Sequence, residues 1–311
     1  MPFRPIQQKL RNRGGLLSGV PEGYSGVWDL RGLDYLKNAP LLDIFPGADG
    51  AYSLRRLSST YTGPVVRVRR SNDNAEDEFS ASEVATGALS SWIGANTGYV
   101  VTWFDQTGNG ASLTQATAAN QPQVNLTEGS VFFPEQAGAA ASGSGYWLLS
   151  TSLPVTSNDL TYFSVVRLTA RNSGRNKYGR ILSLTESGFQ DFNKASGMLI
   201  SDTPDNGSDG LMMYSNLSVR AALPTLALNQ KAVVGGLVNG SSANLYKNKT
   251  SDSGSFAGIA LDADEFRIGN NASAFDSAMA GHYYMGVMYR SVLSGDRIDR
   301  LTDYLSGQWS V

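Results

Sequence analysis

From residue 145 onward, short apolar runs alternate with turn residues. The runs 146–149, 160–168, 180–184, 197–200, 211–214, 231–237, 243–247, 265–268 and 281–289 predict strands. Their rhythm is that of a two-sheet sandwich, an all-β fold carrying one or two short helices. Upstream, residues 98–104 are dense in aromatic and β-branched side chains and predict a core strand. Ser80 with Glu83 has capping-box spacing, and Val84, Ala88, Leu89 and Trp92 share a helical face, which predicts one buried helix ending near Gly94. A second helix is expected at the end of the chain. Ser294 caps it, Asp296 sits in its first turn, Ile298, Leu301 and Leu305 form its inner face, Gly307 stops it, and Trp309 packs beside it.

The beginning of the chain reads differently. Arg4, Lys9, Arg11 and Arg13 precede the first acid, Glu22, and Phe3, Ile6, Leu10, Leu16 and Leu17 are apolar groups with too few neighbours to close a core. Leu30, Leu33 and Leu36 recur every three residues after Trp28, a short helix or turn that Pro40 prevents from continuing. The loop signal at residues 47–50 then marks a boundary. Residues 1–46 are expected to be an arm that orders on a partner, and residues 47–311 the sandwich.

Composition narrows the chemistry. With 311 residues and 41% apolar side chains, the chain can bury a large core without staples. It has no cysteine, which excludes disulfides, thiolate metal sites and a cysteine nucleophile, and its only histidine is His282, which excludes multi-histidine metal centres. A formal charge of −2 argues against nucleic acid and anionic lipid as partners. No stretch is long and apolar enough for a spanning helix, and no export leader is recognisable. No cofactor is expected, although calcium, which needs only oxygen ligands, fits the inventory.

Four candidate features follow. Asp105-Gln106-Thr107-Gly108-Asn109-Gly110 is a strand exit into a turn whose Asp and Asn side chains satisfy loop amides, and in second place a loop offering Asp105 and Asn109 to a glycan. Tyr146 and Trp147, after Gly143-Ser144-Gly145, are candidate sugar-stacking aromatics, although for Trp147 core burial is the first reading and sugar stacking the second. Asp202, Asp205 and Asp209 cluster in one stretch as a polar hairpin or a calcium site, but Asn216 stands where an EF-type run needs its bidentate Glu. Glu186 and Asp191 are the nearest carboxyl pair for glycoside hydrolysis. The Asn-x-Ser/Thr triplets at Asn125, Asn206, Asn216, Asn239, Asn248 and Asn271 read as hairpin chemistry.

Two stretches carry a family resemblance. Gly235-Gly236-Leu237-Val238-Asn239-Gly240, Phe266-Arg267-Ile268-Gly269-Asn270 and Gly286-Val287-Met288-Tyr289-Arg290-Ser291-Val292-Leu293-Ser294 resemble a laminin-G/concanavalin A-like jelly-roll domain over 145–311. Residues 52–64 together with Trp103-Phe104-Asp105-Gln106-Thr107-Gly108-Asn109-Gly110 are similar to phage virion proteins built on such a body, and to the start of the arabinofuranosidase B catalytic domain. Tyr24-Ser25-Gly26-Val27-Trp28 resembles segments of phage tail and fibre proteins. The cysteines of the arabinofuranosidase family are absent, so its catalytic residues do not carry over.

The resemblance implies a non-enzymatic virion protein, expected to be a homo-oligomer by analogy with fibres. Its arm (Phe3, Arg4, Ile6, Lys9, Leu10, Arg11, Arg13 and Trp28) would dock to capsid or tail proteins while the sandwich binds host surface polysaccharide. A ligand-free capsid cement protein and a glycoside hydrolase of arabinofuranosidase type are the alternatives.

Overall fold

In each strand, alternate residues face opposite sides of a sheet, so the apolar partners of every run select the inner face. The computed structural model describes residues 39–135, 145–171, 179–187, 189, 196–203, 210–270 and 278–311. The proposed arm residues Phe3, Arg4, Ile6, Lys9, Leu10, Arg11, Arg13 and Trp28 lie outside the described residues, as do Asp191, Asp205, Asp209, Asn206 and Asn271.

The described chain forms an antiparallel β-sandwich of jelly-roll type, as the alternation predicts. The front sheet runs, edge to edge, β13 (Ser218–Leu223), β12 (Gly210–Ser215), β11 (Met198–Thr203), β10 (Arg180–Thr185), β17 (Glu265–Ile268), β8 (Leu148–Ser150), β5 (Leu113–Thr114), β4 (Gly98–Trp103), β2 (Pro64–Arg70) and β3 (Glu76–Ser80). The back sheet runs β16 (Thr250–Ser255), β15 (Ser242–Lys247), β14 (Ala232–Asn239), β9 (Asp159–Ala170) and β18 (Ala280–Tyr289). The free edge of β18 is shared by β7 (Ser130–Phe133) at one end and β1 (Gly50–Ser53) at the other. β6 (Gln123–Asn125) bridges β7 to β4 and joins the two sheets.

Between the sheets, Val66, Val68, Trp103, Phe133, Tyr162, Ile200, Phe266 and Tyr283 belong to the main core. A second core lies on the outer face of the back sheet. Helix α4 (Gly295–Trp309) seats Ile298, Leu301, Leu305 and Trp309 there, over Phe163, Val165, Met285 and Val287. Leu41 and Phe45 of the short helix α1 (Leu41–Ile44) and its exit join this second core, so residues 39–46, within the stretch assigned to the arm, pack on the sandwich. Tyr289 Oη donates to the Phe45 carbonyl at 2.8 Å and Tyr304 Oη to that of Ala39 at 2.7 Å.

Local differences have local causes. The predicted central helix is two, α2 (Ala81–Thr86) and α3 (Ala88–Ile93), because Gly87 adopts φ 84° between them. The Ser80/Glu83 capping box is present, and Gly94 ends α3. Helix α4 runs past Gly307 and stops at Ser310, since Trp309 is buried with the second core and holds the last turn in place. Two edge strands, β13 and β16, escaped the hydrophobic pattern. Asn216 and Leu217, both at positive φ, form the β12 to β13 turn, and Asn248 at φ 52° begins the β15 to β16 turn.

Candidate functional site

The outer face of the front sheet carries four buried polar side chains close together, Ser183, Thr185, Glu265 and Arg267. In register across five neighbouring strand pairings, Thr114, Leu149, Arg267, Ser183, Leu199 and Tyr214 form one outward row. Further along the same pair of strands, Glu265 faces Thr185. The inner partners of these residues, among them Phe266, Ile268, Leu182 and Leu184, fill the core, so the sequence alternation itself drives the polar set outward.

Glu265 and Arg267 are neighbours on one face of β17 and form an ion pair with 9% and 10% of their side-chain surface exposed. Arg267 Nε and Nη2 both donate to Glu265 Oε2, at 3.0 and 2.9 Å, and make no bond to Oε1. The guanidinium also lies 4.5 Å from the Trp147 ring centroid, a cation–π contact. Trp147 itself is half-buried and sits at the start of β8, anchored by its backbone: its N–H donates to the Asn120 carbonyl and its carbonyl accepts from Gln115 Nε2 at 3.2 Å. Ser183 Oγ is buried beside Arg267 with no hydrogen-bond partner. Burying a charge pair is favourable only when its remaining polar valences are used, so the pair by itself is weak evidence of stabilisation.

The loop leaving β10 carries the backbone of Glu186 past this end of the sheet. Thr185 pairs with Glu265, and two residues on, Ser187 N–H donates to Asp264 Oδ1 at 2.6 Å, which ties Glu186 alongside the Asp264–Glu265 step. Its partner in the sequence reading, Asp191, lies outside the described residues.

The other candidates are placed as follows. Trp147 is the one glycan candidate that meets the buried ion pair, through the Arg267 guanidinium. Tyr146 is half-buried against the main core. Asp105 is 4% exposed and fully engaged: Oδ1 accepts from Ala51 N–H and Thr107 N–H, both at 3.0 Å, and Oδ2 from Thr107 Oγ1 at 2.6 Å and Ala111 N–H at 3.3 Å. Asn109 donates from Nδ2 to the Ala48 and Asp49 carbonyls. These two residues latch the start of the sandwich to the exit of β4, the structural half of their sequence reading. Gln106 completes the latch, accepting from Leu57 N–H and donating to the Ser53 and Arg55 carbonyls.

Asp202 is fully buried, accepts Leu226 N–H at 2.9 Å and pairs with Arg171 at 3.4 Å, so it faces a cation where a calcium ligand would face the ion. Among the described residues no group of three or more Asp, Glu or His side chains is arranged to hold a metal ion. Sequence reasoning missed Glu265 and Arg267 as a functional pair. The signal was available: two charges at i and i+2 in a run whose other members are Phe266 and Ile268 must share a face of a central strand.

No family model matches the sequence, and no curated protein does. Solved structures do. A GH54 α-L-arabinofuranosidase soaked with a cyclic sulfate inhibitor superposes with a TM-score of 0.63 at 14% identity over 84% of this chain. A point mutant of a GH54 α-L-arabinofuranosidase, a glutamate replaced by glutamine, soaked with 4-nitrophenyl α-L-arabinofuranoside, gives 0.63 at 13% identity. An arabinofuranosidase complexed with arabinofuranosyl-α-1,2-xylobiose gives 0.61 at 13%, and both of these again cover 84% of this chain. The chain spans 62% of the length of each. At these identities the likeness establishes the β-sandwich fold. The expectation of a non-enzymatic virion display protein is corrected on the same finding: the matching structures are glycoside hydrolases, which favour the hydrolase alternative over it.

Proposed function

We propose that the protein is a carbohydrate-active enzyme of the glycoside hydrolase type, with its site on the outer face of the front sheet. The observation that carries this reading is the buried Glu265–Arg267 pair against Trp147. A glycosidic bond breaks through a transition state with positive charge on the sugar ring, so it needs a fixed carboxylate beside that ring and a second carboxyl group to protonate the departing oxygen. Arg267 fixes Glu265 through one oxygen and leaves the other to face the sugar. Trp147 offers an apolar surface to the C–H face of the ring. Glu186, tied to the adjacent strand step, is the second carboxyl group.

The likeness to arabinofuranosidases makes α-L-arabinofuranosides the first substrates to try. The test is hydrolysis of 4-nitrophenyl α-L-arabinofuranoside and of arabinan by the wild type, Glu265→Gln and Glu186→Gln. Loss of a catalytic carboxyl group is expected to lower kcat at least ~100-fold, the scale of general acid–base and electrostatic contributions. Wild-type turnover in Glu265→Gln, or no hydrolysis by the wild type of these or of a panel of other nitrophenyl glycosides, rejects the reading.

A further inference from the structure

A second arginine-backed aromatic lies on the same face as Trp147. Tyr99 on β4 is half-buried and points outward, since its neighbour Val100 is in the main core. The Arg69 guanidinium sits 4.6 Å from its ring centroid. Arg69 is itself fixed: Nε donates to Gln121 Oε1 and Nη1 to Asn74 Oδ1, both at 2.7 Å. Gln121 then donates to the Gln115 carbonyl at 2.9 Å, and Gln115 Nε2 donates to the Trp147 carbonyl at 3.2 Å. One run of bonds thus spaces the two rings rigidly across the sheet.

Register gives that spacing. Thr102 of β4 faces Thr114 of β5, which faces Leu149 of β8, so β4 and β8 run in the same direction two strands apart. Counting back from Thr102 and from Leu149 brings Tyr99 and Trp147 to nearly the same level, about 10 Å apart at the usual spacing of strands. A single sugar ring cannot touch both; a short linear glycan lying across the strands can.

We propose that Tyr99 is a remote sugar subsite and that the face takes a linear oligosaccharide, with the reacting unit at Trp147 and Glu265 and a later unit stacked at Tyr99. This rests on the hydrolase reading and names its substrate class. Each ring carries an arginine on one face, which holds the ring still before binding and leaves the other face to the C–H groups of a sugar.

The experiment is calorimetry on the full-length Glu265→Gln protein with two probes, methyl α-L-arabinofuranoside and arabinotetraose. The preference for the tetraose over the monosaccharide is expected to fall about tenfold in Tyr99→Ala, roughly what one aromatic stacking contact contributes, and to return in Tyr99→Phe. An unchanged preference in Tyr99→Ala overturns the subsite while leaving the hydrolase reading intact. So does a fall that Tyr99→Phe fails to restore. Failure of the hydrolase reading shows separately, as wild-type protein that cleaves no glycoside.

Discussion

Gly254 on β16 lies directly against the backbone of Arg220 on β13, so that a Cβ at position 254 would overlap the Arg220 carbonyl oxygen. The edges of the two sheets meet there, main chain to main chain, and Asp252 Oδ2 accepts the Ala222 N–H at 2.9 Å across the same seam. Gly254→Ala must part the two edges. We expect it to destabilise the protein by about 3 kcal/mol, the upper range for overpacking, read as a lower urea midpoint with an unchanged slope.

The β12 to β13 turn shows the opposite case. Leu217 holds φ 59° with 68% of its surface exposed, after Asn216 at φ 49°. A γ-branched side chain gains nothing from burial here, and the left-handed conformation costs roughly 1–2 kcal/mol for an L-residue. Leu217→Gly completes the Asn-Gly hairpin and is expected to stabilise by about 0.5–1 kcal/mol after the added chain entropy of glycine. A fall in thermal midpoint would contradict this.

The Asp105 latch makes a different prediction. Four donors converge on one buried carboxylate, so Asp105→Ala orphans the Ala51 and Ala111 amides and frees the segment that carries β1. A loss of about 3 kcal/mol is expected. Hydrogen exchange should localise it, with Ala51 to Ser53 losing protection before β9 does.

His282 sets the acid response. Burial, reinforced by Arg167, lowers its pKa from 6.5 to about 4, with Lys231 adding to the shift and Glu128 opposing it. Nδ1 lies 2.9 Å from Ser130 Oγ, and the ring stacks on Tyr284 and meets Phe132 at a tilt. The native state therefore binds fewer protons than the unfolded chain between those two values. Stability contributed by the neutral ring is whole above pH 6.5, declines as pH falls, and is gone by about pH 4. The wild-type advantage over His282→Gln in chemical denaturation should shrink across that window; a constant difference would refute the assignment.

Much of the architecture was legible because strongly patterned strands lie where the sandwich is two-sided. The runs that became β9, β14 and β18 carry enough Val, Leu, Phe and Tyr to declare themselves. β16, with the sequence Thr-Ser-Asp-Ser-Gly-Ser, has no apolar residue, and β13 follows a turn without glycine, so neither gave a local signal. Both are defined by their neighbours' backbones. The site was legible only in part. Trp147 stood out as an aromatic near glycines, whereas Glu265 and Arg267 entered only as members of the predicted strand 265–268, and their pairing on a buried face shows once β17 is placed between β8 and β10. The Asp105 loop drew notice for its composition, and that composition serves the fold.

β18 comes late in the chain yet lies inside the back sheet, flanked along one edge by β9 and along the other by β7 and β1. During synthesis, those three strands must wait for residues 280–289 to leave the ribosome before they find their shared partner. A nascent protein stalled short of residue 280 would present their unpaired edges to solvent, and such edges invite pairing with another chain. Chaperone dependence should therefore track the time between translation of β9 and completion of β18.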